Sequence, residues 1–126
     1  MIHGIGADLL DSRRIRSGLA RFGEAYVRRL LVAAEWDGFA ASPDPARFLA
    51  KAFAAKEAFS KACGTGLRAP VTLANLAVLR DPLGKPHFLC APELSLWLAE
   101  RGIVRQHLSL SDEGELVLAY VILESE

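Results

Sequence analysis

Three residues of this chain are of types that could bind a phosphorylated ligand together with a divalent cation. Asp8 follows a short apolar run, and Glu57 and Lys61 lie one helical turn apart within residues 48–66. Mg²⁺ typically binds one or two carboxylates together with the phosphates of a substrate. Two carboxylates alone are weak evidence for such a site, because most acidic side chains are simply solvated.

Residues 48–66, which carry Glu57 and Lys61, are the stretch around which the chain is organised, and their composition predicts a central helix. The segment is rich in Ala, Leu, Phe and Lys, which favour helix. Asp44-Pro45 supplies an N-cap and a first helical residue, and Gly64 supplies a stop. One face is apolar and is predicted to enter the core: Phe48, Ala52, Ala55, Phe59 and Ala62. Lys56 lies at the edge of that face, where an ammonium group needs a partner.

The helix runs into Gly64-Thr65-Gly66, and two interpretations of this loop are open. Its backbone N–H groups could approach a phosphate, or the loop is only a helix C-cap and turn. Neither a GxxxxGK[ST] phosphate loop nor a GxGxxG unit after a strand is present. His107, on a predicted strand, could be a core or a ligand histidine. The residues alone therefore support no more than an α+β domain that handles phosphate.

The N-terminal residues are predicted to place Asp8 at the end of a strand. Residues 2–7 form a short apolar run whose two glycines allow close approach of backbone or ligand. Asp11 or Ser12 can cap the following helix. Asp8 is then left free for another role.

Residues 13–31 have a helical pattern that is predicted to weaken or break near Gly23. Arg14, Arg21 and Arg28 are spaced by seven and are predicted to flank the apolar face. For an isolated basic face, simple solvation is the favoured interpretation.

The C-terminal half is predicted to be rich in strands. Residues 73–79 and 87–90 form a hairpin, and residues 92–101 form a helix. Residues 104–111 alternate, whereas residues 116–123 are continuously apolar and are predicted to be buried on both faces. The element order β-α-α-α-β-β-α-β-β indicates an α+β fold in which a largely antiparallel sheet packs on helices.

Composition indicates an ordinary soluble globular protein, with residues 1–126 as a single domain. The net charge is zero, so no strong attraction to nucleic acid or membrane is expected. The sequence shows no signal peptide and no transmembrane run, which predicts a cytoplasmic location. Cys63 and Cys90 lack metal-ligand spacing and are predicted to be reduced core residues.

Several motifs, in order along the chain, resemble those of the bacterial holo-[acyl-carrier-protein] synthases, the short 4′-phosphopantetheinyl transferases. They are Gly4-Ile5-Gly6-Ala7-Asp8, Phe53-Ala54-Ala55-Lys56-Glu57-Ala58-Phe59-Ser60-Lys61-Ala62, Gly64-Thr65-Gly66, Gly84-Lys85-Pro86 and His107-Leu108-Ser109-Leu110-Ser111-Asp112. The resemblance implies transfer of the 4′-phosphopantetheine arm of coenzyme A to a serine of apo acyl carrier protein, with adenosine 3′,5′-bisphosphate as the leaving group. It also implies a homotrimer with sites between subunits.

The resemblance assigns roles to individual residues. Asp8 and Glu57 would hold Mg²⁺, Lys61 would meet the pyrophosphate, and the base would be Glu57 or a metal-bound water. The coenzyme A site would also include Gly64, Thr65, Gly66, Pro86, His107 and Ser109. An acidic carrier would dock on Arg14, Arg21 and Arg28, which reverses the preference for simple solvation of these arginines.

The sequence departs from the family pattern at two positions. Many members have Thr where this chain has Ala7, and many have Arg where it has Ala52. The first change removes a hydroxyl beside the predicted metal ligand, and the second removes a positive charge near the site. Asp112 stands where some members carry His and others carry Asp, so only Ala7 and Ala52 weigh on the function. The alternative function is therefore a non-catalytic coenzyme A or carrier-protein binding module on the same fold.

Overall fold

The computed structural model describes Met1–Glu126 and contains five strands and five helices. In chain order these are β1 (Ile2–Asp11), α1 (Ser12–Phe22), α2 (Glu24–Leu30), α3 (Trp36–Ala41), α4 (Pro45–Cys63), β2 (Leu76–Arg80), β3 (Pro86–Cys90), α5 (Pro92–Glu100), β4 (Ile103–Glu113) and β5 (Leu116–Ser125). Two 3₁₀ turns precede α3 and β2, at Ala33–Glu35 and Leu73–Asn75. One sheet has the strand order β1-β5-β4, the other is the hairpin β2-β3, and all pairs are antiparallel. The predicted α+β class is confirmed.

Helix α4 begins and ends at the predicted residues. The Asp44 carboxylate accepts a hydrogen bond from the Arg47 N–H at 3.2 Å, and Pro45 occupies the first turn. Gly64 caps the other end with φ of 80°, a conformation that residues with a Cβ rarely adopt. None of the helices combines the length and the apolar character needed to cross a membrane.

The glycines of β1 let α4 pack directly against the sheet. A Cβ on Gly4 would overlap the carbonyl oxygen of Ala62, and a Cβ on Gly6 would overlap that of Ala58. The predicted close approach is therefore confirmed, with the backbone of α4 as the approaching partner. This contact fixes the distance between the middle of β1 and the second half of α4.

Strand β1 is longer than predicted and does not end at Asp8. Its pairing with β5 continues through Asp8, opposite Ala119, to Asp11, opposite Leu116. Asp11 then caps α1 by accepting a hydrogen bond from the Arg13 N–H at 3.0 Å. Asp8 therefore lies within the paired part of β1, with residues paired to β5 both before and after it.

The predicted burial of β5 on both faces is wrong. Val117, Ala119 and Val121 are fully buried against the helices, whereas Leu118 and Tyr120 are about 40% exposed (41% and 40%). The exposed apolar positions share one side of the three-stranded sheet, which we call the outer face: Ile5, Leu9, Leu116, Leu118 and Tyr120. The side that contacts α4 is the inner face. The amino-acid pattern misleads here because the outer face is apolar without being covered within this chain.

Candidate active site

Asp8, Glu57 and Lys61 lie together where the inner face of β1 meets α4. Asp8 lies between two buried positions of β1, and its side chain is 17% exposed. The Lys61 ammonium group donates to the Ala7 carbonyl oxygen at 2.9 Å and to Asp8 Oδ1 at 3.2 Å. The Lys61 side chain is 51% exposed, so this cluster is open to solvent on the lysine side.

The charge of Asp8 acts on the neighbouring carboxylate of Glu57. Burial raises the pKa of Glu57, and the charge of Asp8 raises it further, while Lys61 acts in the opposite direction. Neighbouring carboxylates with unsatisfied negative charge are the arrangement that a divalent cation relieves. No group of three or more His, Cys, Asp or Glu side chains could hold a metal ion. A cation at Asp8 and Glu57 would therefore complete its ligand shell with substrate oxygens and water, which fits Mg²⁺.

The loop after α4 serves first as a helix cap. The Gly64 N–H donates to the Lys61 carbonyl at 3.0 Å, and the Gly66 N–H donates to the Ser60 carbonyl at 3.2 Å. These two amides close the helix end, as the C-cap interpretation predicts. The contact of Gly64, Thr65 and Gly66 with coenzyme A stays a prediction.

His107 and Ser109 are not brought to Asp8 within one chain. Ser109 pairs with Tyr120 and His107 pairs with Ile122, so both belong to the outer face of β4. Asp8 belongs to the inner face of β1, and β5 separates the two strands. Pro86 begins β3 in the separate hairpin and makes no hydrogen bond or ion pair with the cluster around Asp8.

Strand alternation also changes the expected effect of having alanine at position 7. Ala7 pairs with Tyr120 and belongs to the outer face, whereas Asp8 belongs to the inner face. A hydroxyl at position 7 would therefore not lie beside the Asp8 carboxylate, contrary to the expectation from sequence. The carbonyl of Ala7, which any residue supplies, is the group that contacts Lys61.

Ala52 lines a cavity of about 350 Å³ between α4, β2 and the 3₁₀ turn before α3. Lys51 also lines the cavity, and its ammonium group lies 3.4 Å from Asp112 Oδ1. Asp112 in turn accepts a hydrogen bond from Arg47 at 2.8 Å. A positive charge therefore remains beside position 52 although the side chain there is a methyl group.

The arginines predicted to bind a carrier lie on two helices. Arg14 and Arg21 belong to α1, and Arg28 belongs to α2, because the chain breaks at Gly23 as predicted. All three are exposed, and Arg28 forms an ion pair with Glu24 at 3.1 Å. The single continuous flank expected from the spacing of seven therefore holds only for Arg14 and Arg21.

The partner of Lys56 is Glu35, which the sequence did not single out. The two side chains are fully buried and lie 2.7 Å apart. The position of Lys56 on an apolar face indicated that a partner must exist. Nothing in the pattern around Glu35 identified it, because its burial depends on the packing of a 3₁₀ turn against α4.

Comparison with known proteins gives consistent results over the whole chain. The model of the 4′-phosphopantetheinyl transferase superfamily matches residues 4–121. The holo-[acyl-carrier-protein] synthase of Thiobacillus denitrificans is 68% identical over 124 residues, covering 98% of this chain and 95% of that protein.

Two solved structures share this fold. The holo-[acyl-carrier-protein] synthase of Neisseria meningitidis superposes with a TM-score of 0.96 at 47% identity, covering 99% of this chain and 100% of that one. The Bacillus anthracis protein of the same name, solved in complex with CoA (3′,5′-ADP), superposes with a TM-score of 0.82 at 34% identity. That match covers 100% of this chain and 99% of the other.

Proposed function

The chain belongs to the 4′-phosphopantetheinyl transferase superfamily and is an enzyme of the holo-[acyl-carrier-protein] synthase type; we propose that it transfers 4′-phosphopantetheine from coenzyme A to a serine hydroxyl of an apo acyl carrier protein. Adenosine 3′,5′-bisphosphate would be the second product. The observation that carries this proposal is the convergence of Asp8, Glu57 and Lys61 between β1 and α4.

The residues of this cluster suit phosphoryl transfer, which requires positioning and charge neutralisation rather than covalent catalysis. Asp8 and Glu57 would hold Mg²⁺, which when bound supplies positive charge to the pyrophosphate. Lys61 uses two of its three N–H donors on Ala7 and Asp8, which leaves one for a phosphate oxygen. The proton of the attacking serine has to move to a base, and a carboxylate oxygen of Glu57 or a water molecule in the same cluster can accept it.

A mass measurement tests the reaction. The protein is mixed with Mg²⁺, coenzyme A and an apo carrier, and the carrier is weighed. We expect the carrier to gain one phosphopantetheine group, and a carrier whose acceptor serine is replaced by alanine to gain nothing. An unchanged carrier, together with calorimetric binding of coenzyme A, would instead identify a non-catalytic binding module.

We further propose that the active protein is a homotrimer with sites shared between copies. His107 and Ser109 lie on the outer face, away from Asp8, and this separation supports a site to which one copy contributes Asp8 and another contributes His107 and Ser109. The outer face carries exposed apolar side chains that another copy would cover. Sedimentation equilibrium at micromolar concentration should give three times the chain mass, and a monomer would contradict the shared site.

The carrier is proposed to dock on α1. Arg14 and Arg21 are exposed and belong to the same helix, and guanidinium groups pair well with carboxylates of an acidic partner. The double variant Arg14→Glu with Arg21→Glu should raise the KM for the carrier and leave coenzyme A affinity unchanged. Arg101→Glu, just after α5, is the charge control for each single variant, Arg14→Glu and Arg21→Glu, because each changes the net charge by the same amount. Equal carrier kinetics and equal salt response in parent and double variant would place docking elsewhere.

A further inference from the structure

Glu124 contacts an imidazole ring and a guanidinium group on the outer face at the end of the sheet. Its Oε1 atom lies 2.6 Å from His107 Nε2 and accepts a hydrogen bond from Arg105 Nε at 3.2 Å. Arg105 lies directly opposite Glu124 in the strand register, and His107 lies diagonally from it. The contact of Glu124 with His107 is thus shorter than its contact with Arg105.

The charged neighbours of His107 on this face are few. Arg105 is on its own strand, and Glu124 is on the neighbouring strand. On the far side of β5, Glu124 lies opposite Ile2, and the N-terminal amino group donates to the Ser125 carbonyl rather than to a carboxylate. Glu126, the terminal residue, forms no ion pair.

The contact with Glu124 determines which ring nitrogen of His107 is free. Hydrogen bonds from His107 and Arg105 lower the pKa of Glu124, so its side chain is an ionised carboxylate at neutral pH. An ionised carboxylate only accepts hydrogen bonds, so Nε2 of His107 must carry a proton. Nδ1 is then the nitrogen that remains for a ligand, and it becomes a donor when the ring is doubly protonated.

We propose that Glu124 is a positioning residue for coenzyme A binding: it orients the His107 ring so that Nδ1 points to a phosphate group of the bound ligand. This inference rests on the proposed function, in which His107 contacts coenzyme A. Glu124 itself does not touch the ligand. It acts through the orientation of the ring and through the nitrogen that its carboxylate occupies.

When Glu124 is removed, the proposal and simple electrostatics predict changes of opposite sign in the affinity for an anionic ligand. Removing a negative charge beside a phosphate site should strengthen binding of an anionic ligand if charge alone matters. Loss of ring orientation should weaken it, because the ligand then loses the charge-assisted hydrogen bond that Nδ1 donates once the ring has taken up a second proton from solvent on binding. The sign of the effect therefore separates the two explanations.

The experiment compares Glu124→Ala with Glu126→Ala, which removes the same charge two residues away. Adenosine 3′,5′-bisphosphate is titrated by calorimetry, and KM and kcat are measured for coenzyme A. For Glu124→Ala we expect Kd and KM to rise about tenfold with kcat within about twofold of the parent. Glu126→Ala should bind as tightly as the parent or more tightly. Glu124→Gln keeps an oxygen acceptor and should recover part of the loss.

A double-mutant cycle identifies the residue through which Glu124 acts. In a His107→Ala background, Glu124→Ala should have no further effect on ligand affinity, because the group it positions is gone. In an Arg105→Ala background its effect should persist. The reverse pattern would overturn the proposal and make Arg105 the positioned group.

A spectroscopic measurement without ligand checks the orientation independently. Ring ¹⁵N chemical shifts of His107 should show the neutral ring protonated on Nε2 in the parent and a mixture of tautomers in Glu124→Ala. Identical ring shifts in both proteins would overturn the proposal.

If the parent does not bind adenosine 3′,5′-bisphosphate, the proposed function fails and this role of Glu124 fails with it. If the parent binds and Glu124→Ala behaves like Glu126→Ala, only this inference fails.

Discussion

Helix α4 carries three lysines that each meet a carboxylate from another part of the chain, and two of them, Lys56 and Lys61, differ most in the exposure of their side chains. Lys56 meets Glu35 at 2.7 Å, and both side chains are 0% exposed. Lys61 meets Asp8 at 3.2 Å, with side chains that are 51% and 17% exposed. A lysine and a carboxylate thus form a sealed pair at Lys56 and an open pair at Lys61 on one helix.

The sealed pair has no capacity left for a ligand. The Lys56 ammonium group donates to Glu35, to the Leu30 carbonyl at 2.8 Å and to the Leu73 carbonyl at 3.4 Å, which uses all three donors. Glu35 in turn accepts hydrogen bonds from the N–H groups of Val32 at 2.9 Å and Val78 at 3.0 Å. This network joins the end of α2, both 3₁₀ turns, α4 and β2, so its role is structural.

The open pair differs in what it leaves unsatisfied. Lys61 keeps one N–H donor, and Asp8 lies near a second carboxylate, Glu57, whose pKa is raised by burial and by Asp8. In the sealed pair burial lowers the pKa of Lys56, and Glu35 opposes that effect. The difference shows that satisfied charges hold the fold together, and incompletely satisfied charges are available for binding and chemistry.

The largest expected effect is on transfer when a carboxylate of the open cluster is removed. Asp8→Ala or Glu57→Ala should abolish transfer, because each takes away one of the two proposed Mg²⁺ ligands. The free energy of unfolding should change by less than about 1 kcal/mol, since neither side chain belongs to the core. Transfer assays and calorimetry of Mg²⁺ with coenzyme A measure the activity and the metal binding of each variant. Parental turnover and metal binding in either variant would show that the site is assigned to the wrong residues.

The next largest effect is on the free energy of unfolding when the sealed pair is broken. Lys56→Met leaves the Glu35 carboxylate buried without its partner and should lower the free energy of unfolding by about 3–5 kcal/mol. Adding Glu35→Gln removes the buried charge and should restore part of the loss. Urea unfolding at fixed protein concentration measures both variants. A loss below about 1 kcal/mol for Lys56→Met would mean that the pair does not hold the surrounding elements together.

The third effect returns to the open pair. Lys61→Ala should reduce kcat by about 10²–10³, the usual cost of losing one preorganised donor. Lys61→Arg should restore only part of the rate, because a guanidinium fork does not match the position of an ammonium group. The unfolding free energy should stay close to that of the parent, in contrast to Lys56→Met. Near-parental activity of Lys61→Ala would show that Lys61 is only a solvated surface charge.

The smallest effect is the response of the two pairs to salt. Double-mutant cycles for stability should give a coupling of about 0.2–1 kcal/mol for Lys61 and Asp8 at low ionic strength. This coupling should approach zero near 1 M salt, where the Debye length is about 3 Å. The coupling of Lys56 and Glu35 should be unchanged, because solvent ions do not reach the pair. If the two coupling free energies depended equally on salt, the sealed and open pairs would not differ in their access to solvent ions.

Much of the fold follows from short-range patterns that the sequence displays directly. The N-cap Asp44, the C-cap Gly64 and the break near Gly23 depend on the conformations of a few adjacent residues. Residues 73–75 show the limit of this approach. They were predicted as part of a strand but form a 3₁₀ turn, and strand pairing begins only at Leu76, opposite Cys90.

The site was predicted in its residues but not in its geometry. The sequence identified Asp8, Glu57 and Lys61 as candidates, yet it placed Asp8 at a strand end and left Glu35 unnoticed. It also could not show that His107 lies on the opposite face of the sheet from Asp8. These features depend on which strands pair and in which register.

The sequence by itself determined the types of chemical group, the helix limits and the class of fold, because these depend on residues within a few positions of one another. The tertiary structure alone decided which charges are sealed and which remain open. Asp8 faces α4 because it pairs with Ala119, more than a hundred residues away, and Lys56 is buried because it reaches Glu35. Burial sets the electrostatic environment of a charge, and burial is a property of the packed chain rather than of any segment of it.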